Sequence, residues 1–275
     1  MAVTAGGYGA PMVRLRNAGL PDSLRLHYAE SGNPAGPAIL FLHGWPDSWF
    51  SYSRVLPLLP DRYRALVPDQ RGFGESDRPE WGYGIPDLAA DAAAFLDEVD
   101  VTRAAIVGHS FGTFVARRVA EAYPERVTHL VLIGSAFSPV NPVTREVQAS
   151  LRDLPEPVTL AFAREFQSGT IHLPLPPEFF ERLLSESVKL PARLWRATFA
   201  GLLSFDDARE LGRIAAPTLL LWGDHDALFS RGEQERLAKA IPNARLRVYP
   251  DTGHCPNWER PELVAADLIA FLHGA

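Results

Sequence analysis

The chain has 275 residues, 47% of them apolar and 22% charged, with a formal net charge of -6. These are ordinary globular proportions over a length that suits one large domain, and the acidic balance disfavours nucleic acid or an anionic membrane as the partner. The single cysteine, Cys255, cannot close an internal disulfide, which fits a reducing cytoplasm.

From the N-terminal side, residues 24–30 (LRLHYAE) alternate as a half-buried strand and end in the turn residues Ser31, Gly32, Asn33 and Pro34. Residues 38–42 (AILFL) form a continuous apolar run, as expected of a strand buried on both faces. The turn His43-Gly44-Trp45-Pro46 follows. Gly44 lets the chain bend and Pro46 has no N–H, so the Trp45 N–H is the expected free donor. His43 reads as packing under this turn. Residues 63–69 (YRALVPD) make the next strand, and the loop 71–79 (RGFGESDRP) reads as a structured turn against the first one. From Ile85 the positions Leu88, Ala92, Phe95, Leu96 and Val99 keep helical spacing, with Pro86 in the first turn.

Residues 104–107 (AAIV) run directly into Gly108-His109-Ser110-Phe111-Gly112 and then into the helical stretch 113–120 (TFVARRVA). A strand that turns into a helix this tightly leaves no room for a Cβ at the glycines and strains the serine backbone. The result is a nucleophile elbow that holds the Ser110 hydroxyl clear of the sheet. The Phe111 N–H, at the positive start of the helix, joins the Trp45 N–H as the pair of donors an oxyanion needs.

Residues 128–134 (THLVLIG) form the next strand. The alternation then stops: residues 138–212 are rich in proline and contain no convincing strand, only helical pieces at 158–166, 177–188 and 192–203. This segment reads as a helical cap over the strand ends. Leu160, Phe162, Phe166, Leu173, Phe179, Phe180, Leu184, Leu194, Trp195, Phe199 and Leu203 are expected to fill its core and line a pocket. Its cations Arg164, Lys189, Arg193 and Arg196 read as surface or ion-pair groups, with a substrate carboxylate as the alternative partner.

Residues 217–222 (PTLLLW) are a buried-type strand leading into Gly223-Asp224-His225-Asp226, which puts acids at a strand's carboxyl end. Residues 245–250 (RLRVYP) alternate, break at Asp251-Thr252-Gly253, and deliver His254. A nucleophilic serine needs a base and an acid to orient it; His254 is the base and Asp224 or Asp226 the acid. His225 lies on the wrong strand to be the base. A last helix starts at Pro261 and is expected to turn Leu263, Val264, Leu268, Phe271 and Leu272 inward. Strand and helix alternate throughout, giving an α/β fold: a doubly wound, mostly parallel sheet of residues 1–137 and 213–275 with an inserted cap at 138–212.

These motifs make the chain resemble the α/β-hydrolase fold superfamily from about residue 24 to 272. The superfamily's chain order of serine, acid and histidine matches Ser110, Asp226 and His254, and its spacing of the acid three residues after a glycine selects Asp226 over Asp224. The segments HGWPDSW (43–49) and DQRGFGESDRP (69–79) are similar to epoxide hydrolases and haloalkane dehalogenases. Those enzymes attack with an aspartate in the elbow, where this chain has Ser110. Epoxide hydrolases also protonate the opened ring from cap tyrosines, and none of the seven tyrosines here lies in 138–212.

The resemblance therefore implies a serine esterase for a small, fairly hydrophobic ester, working without cofactor or metal. It leaves open a carbon–carbon bond hydrolase of dienoic ring-cleavage products, a perhydrolase or haloperoxidase-like activity, and a slow small-molecule receptor. The carbon–carbon hydrolases are similar around Trp258 and Glu259 but commonly carry tryptophan where this chain has Cys255, which reads as a small buried side chain beneath the histidine loop. A homo-oligomer is left open too. Residues 1–17 show no apolar stretch of secretory length, no later run has bilayer length, and no metal-ligand cluster is visible along the chain. A cytoplasmic location is the expectation.

Overall fold

The computed structural model describes residues 13–274; most of the N-terminal stretch read above for a secretory segment lies outside them. Among the described residues, eight strands form one sheet. They are β1 (Arg14–Gly19), β2 (Arg25–Gly32), β3 (Ala38–Leu42), β4 (Arg64–Pro68), β5 (Ala104–His109), β6 (Val127–Ile133), β7 (Thr218–Gly223) and β8 (Ala244–Tyr249). Their spatial order is β1-β2-β4-β3-β5-β6-β7-β8; β1 and β2 are antiparallel to their neighbours and the others are parallel.

The central strands are apolar without alternation because both faces are covered. On one face Leu40, Leu42, Ile106, Leu130, Leu132 and Leu220 join a core shared with the helices α1 (Ile85–Glu98) and α2 (Phe111–Ala122). On the other face Ile39, Phe41, Val107, Val131, Ile133 and Leu221 pack against Tyr52, Val55 and the final helix. The α1 stripe Leu88, Ala92, Phe95 and Leu96, with Val99 just past the helix end, is buried as its spacing predicts, and the Gly84 N–H donates to Asp87 Oδ2 (3.0 Å) at the helix start.

Between β6 and β7 lie α3 (Pro142–Ser150), α4 (Leu160–Ser168), α5 (Pro177–Ser187) and α6 (Ala192–Leu203). Their inner faces carry Ala163, Phe179, Leu183, Leu184, Leu194, Trp195, Phe199 and Leu202, all buried. Leu160 departs from the expected cap core and is 51% exposed: it opens α4 just after the Thr159 cap, whose side chain accepts from the Phe162 N–H, and sits at the exposed end of the helix, where residues 159–161 all face solvent. Entry to and exit from this insertion meet at one side chain. Arg117 on α2, fully buried, donates to the Ala136 carbonyl (2.6 Å) and pairs through two nitrogens with Asp207 (2.8 and 2.9 Å).

The chain closes with α7 (Arg231–Ala240), α8 (Pro256–Glu259) and α9 (Pro261–His273). Val264, Ala265 and Leu268 of α9 face the sheet, whereas Leu263, expected inward, is 46% exposed because it precedes the buried stripe by one residue, about 100° of helical rotation. No helix among the described residues is long and apolar enough to cross a membrane.

Candidate active site

The elbow forms where β5 meets α2. Ser110 holds φ +49° and ψ -118°, a conformation that L side chains rarely adopt. The flanking glycines are there for space. A Cβ at Gly108 would lie 2.4 Å from the Gly112 carbonyl oxygen, and one at Gly112 would lie 2.2 Å from that of Leu42. The strained residue is pinned on both sides, by its N–H to the Ile133 carbonyl (2.8 Å) and by its own carbonyl, which accepts from Thr113 N and Oγ1 (2.8 and 2.6 Å).

The three expected site residues come together. His254 Nε2 and Ser110 Oγ are 2.8 Å apart, and His254 Nδ1 is 2.8 Å from Asp226 Oδ2. The second carboxylate oxygen, Asp226 Oδ1, accepts from the Leu228 and Phe229 N–H groups (2.8 and 3.0 Å), so the carboxylate cannot rotate away from the imidazole. The side chains of His254 and Asp226 are 2% and 0% exposed, which places the link between them out of bulk water, while Ser110 is half-buried. Asp224 stands apart: its side chain is 37% exposed and contacts His225 (2.8 Å).

The turn His43-Gly44-Trp45-Pro46 is held in place by His43. His43 is buried and neutral, its pKa lowered by burial. Its Nδ1 donates to the Gly44 carbonyl (2.8 Å), while its Nε2 accepts from the Gln70 N–H (3.0 Å) and Gln70 Nε2 returns a bond to the His43 carbonyl (2.9 Å). The loop from Asp69 onward thus clamps the turn, with Asp69 itself accepting from the N–H groups of Trp49 and Glu75 (2.7 and 3.0 Å). The Trp45 and Phe111 N–H groups have no acceptor among the described residues.

The Trp45 ring points into the inserted helices. Its Nε1 donates to Thr198 Oγ1 (2.9 Å), and its ring centroid lies 5.0, 4.7 and 4.7 Å from those of Phe166, Trp195 and Phe199. The four cations singled out in the insertion are engaged by the protein: Arg164 pairs with Glu181, Lys189 with Glu75 and Glu186, and Arg193 and Arg196 donate to backbone carbonyls.

Two acids that lie in motif segments, Glu259 and Asp47, have roles that the sequence analysis did not assign. Glu259 Oε2 accepts the N–H groups of His172, Leu173 and Gly253 (3.0, 2.7 and 3.0 Å), tying the insertion to the loop that bears His254. Cys255 lies buried beside it with its Sγ 3.4 Å from Thr170 Oγ1, and burial pushes its thiol well above the usual range. Asp47 is fully buried, its Oδ1 accepting from Gln167 Nε2 of α4 (3.0 Å) and its Oδ2 from Ser51 Oγ (3.3 Å). Asp47 Oδ2 also lies 3.9 Å from His109 Nδ1, and burial drives the His109 pKa well down.

Burial pushes the Asp47 carboxyl up to about 7. Between roughly pH 4 and that value the folded chain keeps a proton that the unfolded chain releases, so stability falls as pH rises through the window. Asp47→Asn keeps the shape and removes the titration. Compared with the parent in urea unfolding at about pH 5, 6 and 7, it is expected to flatten the fall by about 1 kcal/mol per pH unit. Identical slopes in the two proteins would show Asp47 ionised throughout.

A family model described as the alpha/beta hydrolase fold matches residues 37–261. The non-heme chloroperoxidase of Streptomyces lividans is 30% identical over 91% of this chain and 97% of its own length. Mouse epoxide hydrolase 4 is 28% identical over 94% of this chain and 78% of its own length. Among solved structures, a thermophilic esterase from Thermogutta terrifontis superposes with a TM-score of 0.81 at 25% identity, covering 94% of this chain and 98% of the esterase.

Proposed function

The chain belongs to the alpha/beta hydrolase fold family, and from that premise we propose that it is a serine hydrolase cleaving carboxylic esters of small, fairly hydrophobic substrates. The observation that carries the reading is the hydrogen-bonded run from Ser110 through His254 to Asp226, with the Trp45 and Phe111 N–H groups left without an acceptor among the described residues. In this reading Ser110 Oγ attacks the ester carbonyl while His254 Nε2 takes its proton, and Asp226 stabilises the imidazolium. The carbonyl oxygen gains its negative charge between the N–H groups of Trp45 and Phe111. Collapse of the tetrahedral species expels the alkoxide, which takes the proton from His254. Water, activated by the same imidazole, then releases the carboxylic acid and restores Ser110.

An epoxide-opening activity of the kind named for the mouse relative starts from a carboxylate nucleophile. The elbow holds Ser110 instead, and residues 138–212 hold no tyrosine to protonate an epoxide oxygen. A second activity is favoured by the similarity to a chloroperoxidase: hydrogen peroxide in place of water at the acyl-enzyme would yield a peracid. It uses the same serine and needs no further group.

The test is turnover of nitrophenyl esters across acyl lengths. In this reading the inserted helices close an apolar pocket over Ser110, which would favour added methylenes until it is full. Each buried methylene contributes about 0.8 kcal/mol, so kcat/KM is expected to rise by up to roughly threefold to fourfold per carbon and then fall. A flat series from acetate to octanoate contradicts the apolar pocket, and no turnover of any ester contradicts the esterase reading in favour of a receptor.

A further inference from the structure

Three exposed side chains that are scattered along the chain meet on the surface beside the catalytic loops. His172 lies between α4 and α5, His225 follows β7, and Asp251 follows β8. One donor atom from each falls within 4.8 Å of the other two, and the two imidazoles stack with centroids 4.0 Å apart. We propose that His172, His225 and Asp251 form a site for a divalent transition-metal ion such as Zn²⁺, which clasps the inserted helices to the two loops bearing Asp226 and His254.

The donor set suits that class of ion. Imidazole nitrogens select zinc, copper or nickel over calcium and magnesium, and a carboxylate completes a three-donor set with positions left for water. An independent feature points the same way. His225 Nδ1 lies 2.8 Å from Asp224 Oδ1, so the ring donates there and keeps its lone pair on Nε2. Metal-binding histidines carry this kind of carboxylate partner, which fixes the tautomer and raises the basicity of the free nitrogen.

The two rings lie nearly parallel at 21°, so binding requires them to turn until their nitrogens converge, a rotation open to exposed side chains. Zinc–nitrogen bonds of about 2.0–2.1 Å would then bring the donors to roughly 3.4 Å from one another. Beneath them, Glu259 already ties the His172 backbone to the His254 loop. The ion would add a second tie from above that also reaches the acid's loop. No metal-ligand cluster is visible in the sequence because the three residues belong to three separate segments.

The test uses untagged protein and ZnCl₂, and it needs no substrate, so it stands apart from the ester reading. Calorimetric titration is expected to show saturable one-to-one binding, and the ion is expected to raise the melting temperature by a few degrees. The double variant His172→Ala/His225→Ala should lose both effects. Asp224→Asn, which leaves all three donors in place, should weaken binding by about 10–100-fold. MgCl₂ should give neither effect. An unchanged affinity in the double variant, or no saturable binding to the parent, overturns the site.

Discussion

Replacing Ser110 by alanine is expected to lower kcat for ester hydrolysis by on the order of a millionfold, because the members of such a triad act as a unit and removing one forfeits nearly the whole gain. The fold should survive. Alanine has the same Cβ as serine and so inherits the φ of +49° without adding strain, while the bonds that pin this residue run through its backbone N–H and carbonyl. The measurement is the rate of nitrophenyl ester cleavage, with circular dichroism and melting temperature as checks on folding. A folded variant that keeps near-parent activity removes Ser110 from the chemistry.

Asp226→Asn should lower kcat by roughly 10⁴-fold, for a reason visible in the hydrogen bonds. The Leu228 and Phe229 N–H groups both need an acceptor, so the asparagine oxygen turns to them and its NH₂ faces His254. His254 Nδ1 must then accept, which leaves the proton on Nε2, facing Ser110, where the base should be free. Asp224→Asn touches none of this, since Asp224 is half-exposed and contacts His225, and it should cost no more than a few-fold. If the two variants exchanged these effects, the acid would be Asp224.

The site was legible where its chemistry depends on local sequence. A glycine-flanked serine between a strand and a helix has one structural outcome, and the central strands announced themselves by having apolar residues on both faces. β1 left no such trace: of RLRNAG only Ala18 is buried. The helix α7 buries only Gln234 and Leu237, so its sequence carries no apolar stripe to find. Residue type alone points Leu160 and Leu263 inward, but it does not reveal how a helix is rotated or where its exposed end lies. Asp47, Gln167 and Glu259 act through partners distant in the chain, 120 residues apart for the first pair. Their roles exist only after folding.

Trp45 removes the independence that an inserted domain is often assumed to have. Its indole belongs to the packing of α4 and α6, with Thr198 as hydrogen-bond partner, while its backbone N–H belongs to the turn facing the elbow. In the proposed reading, substrate range and transition-state stabilisation therefore pass through one residue. A chimera that grafts foreign helices onto this core would then change both at once unless the donor's residue at the equivalent turn is transplanted with it. Laboratory evolution confined to residues 138–212 would explore catalytic rate along with selectivity, through the side chains packed on the Trp45 indole.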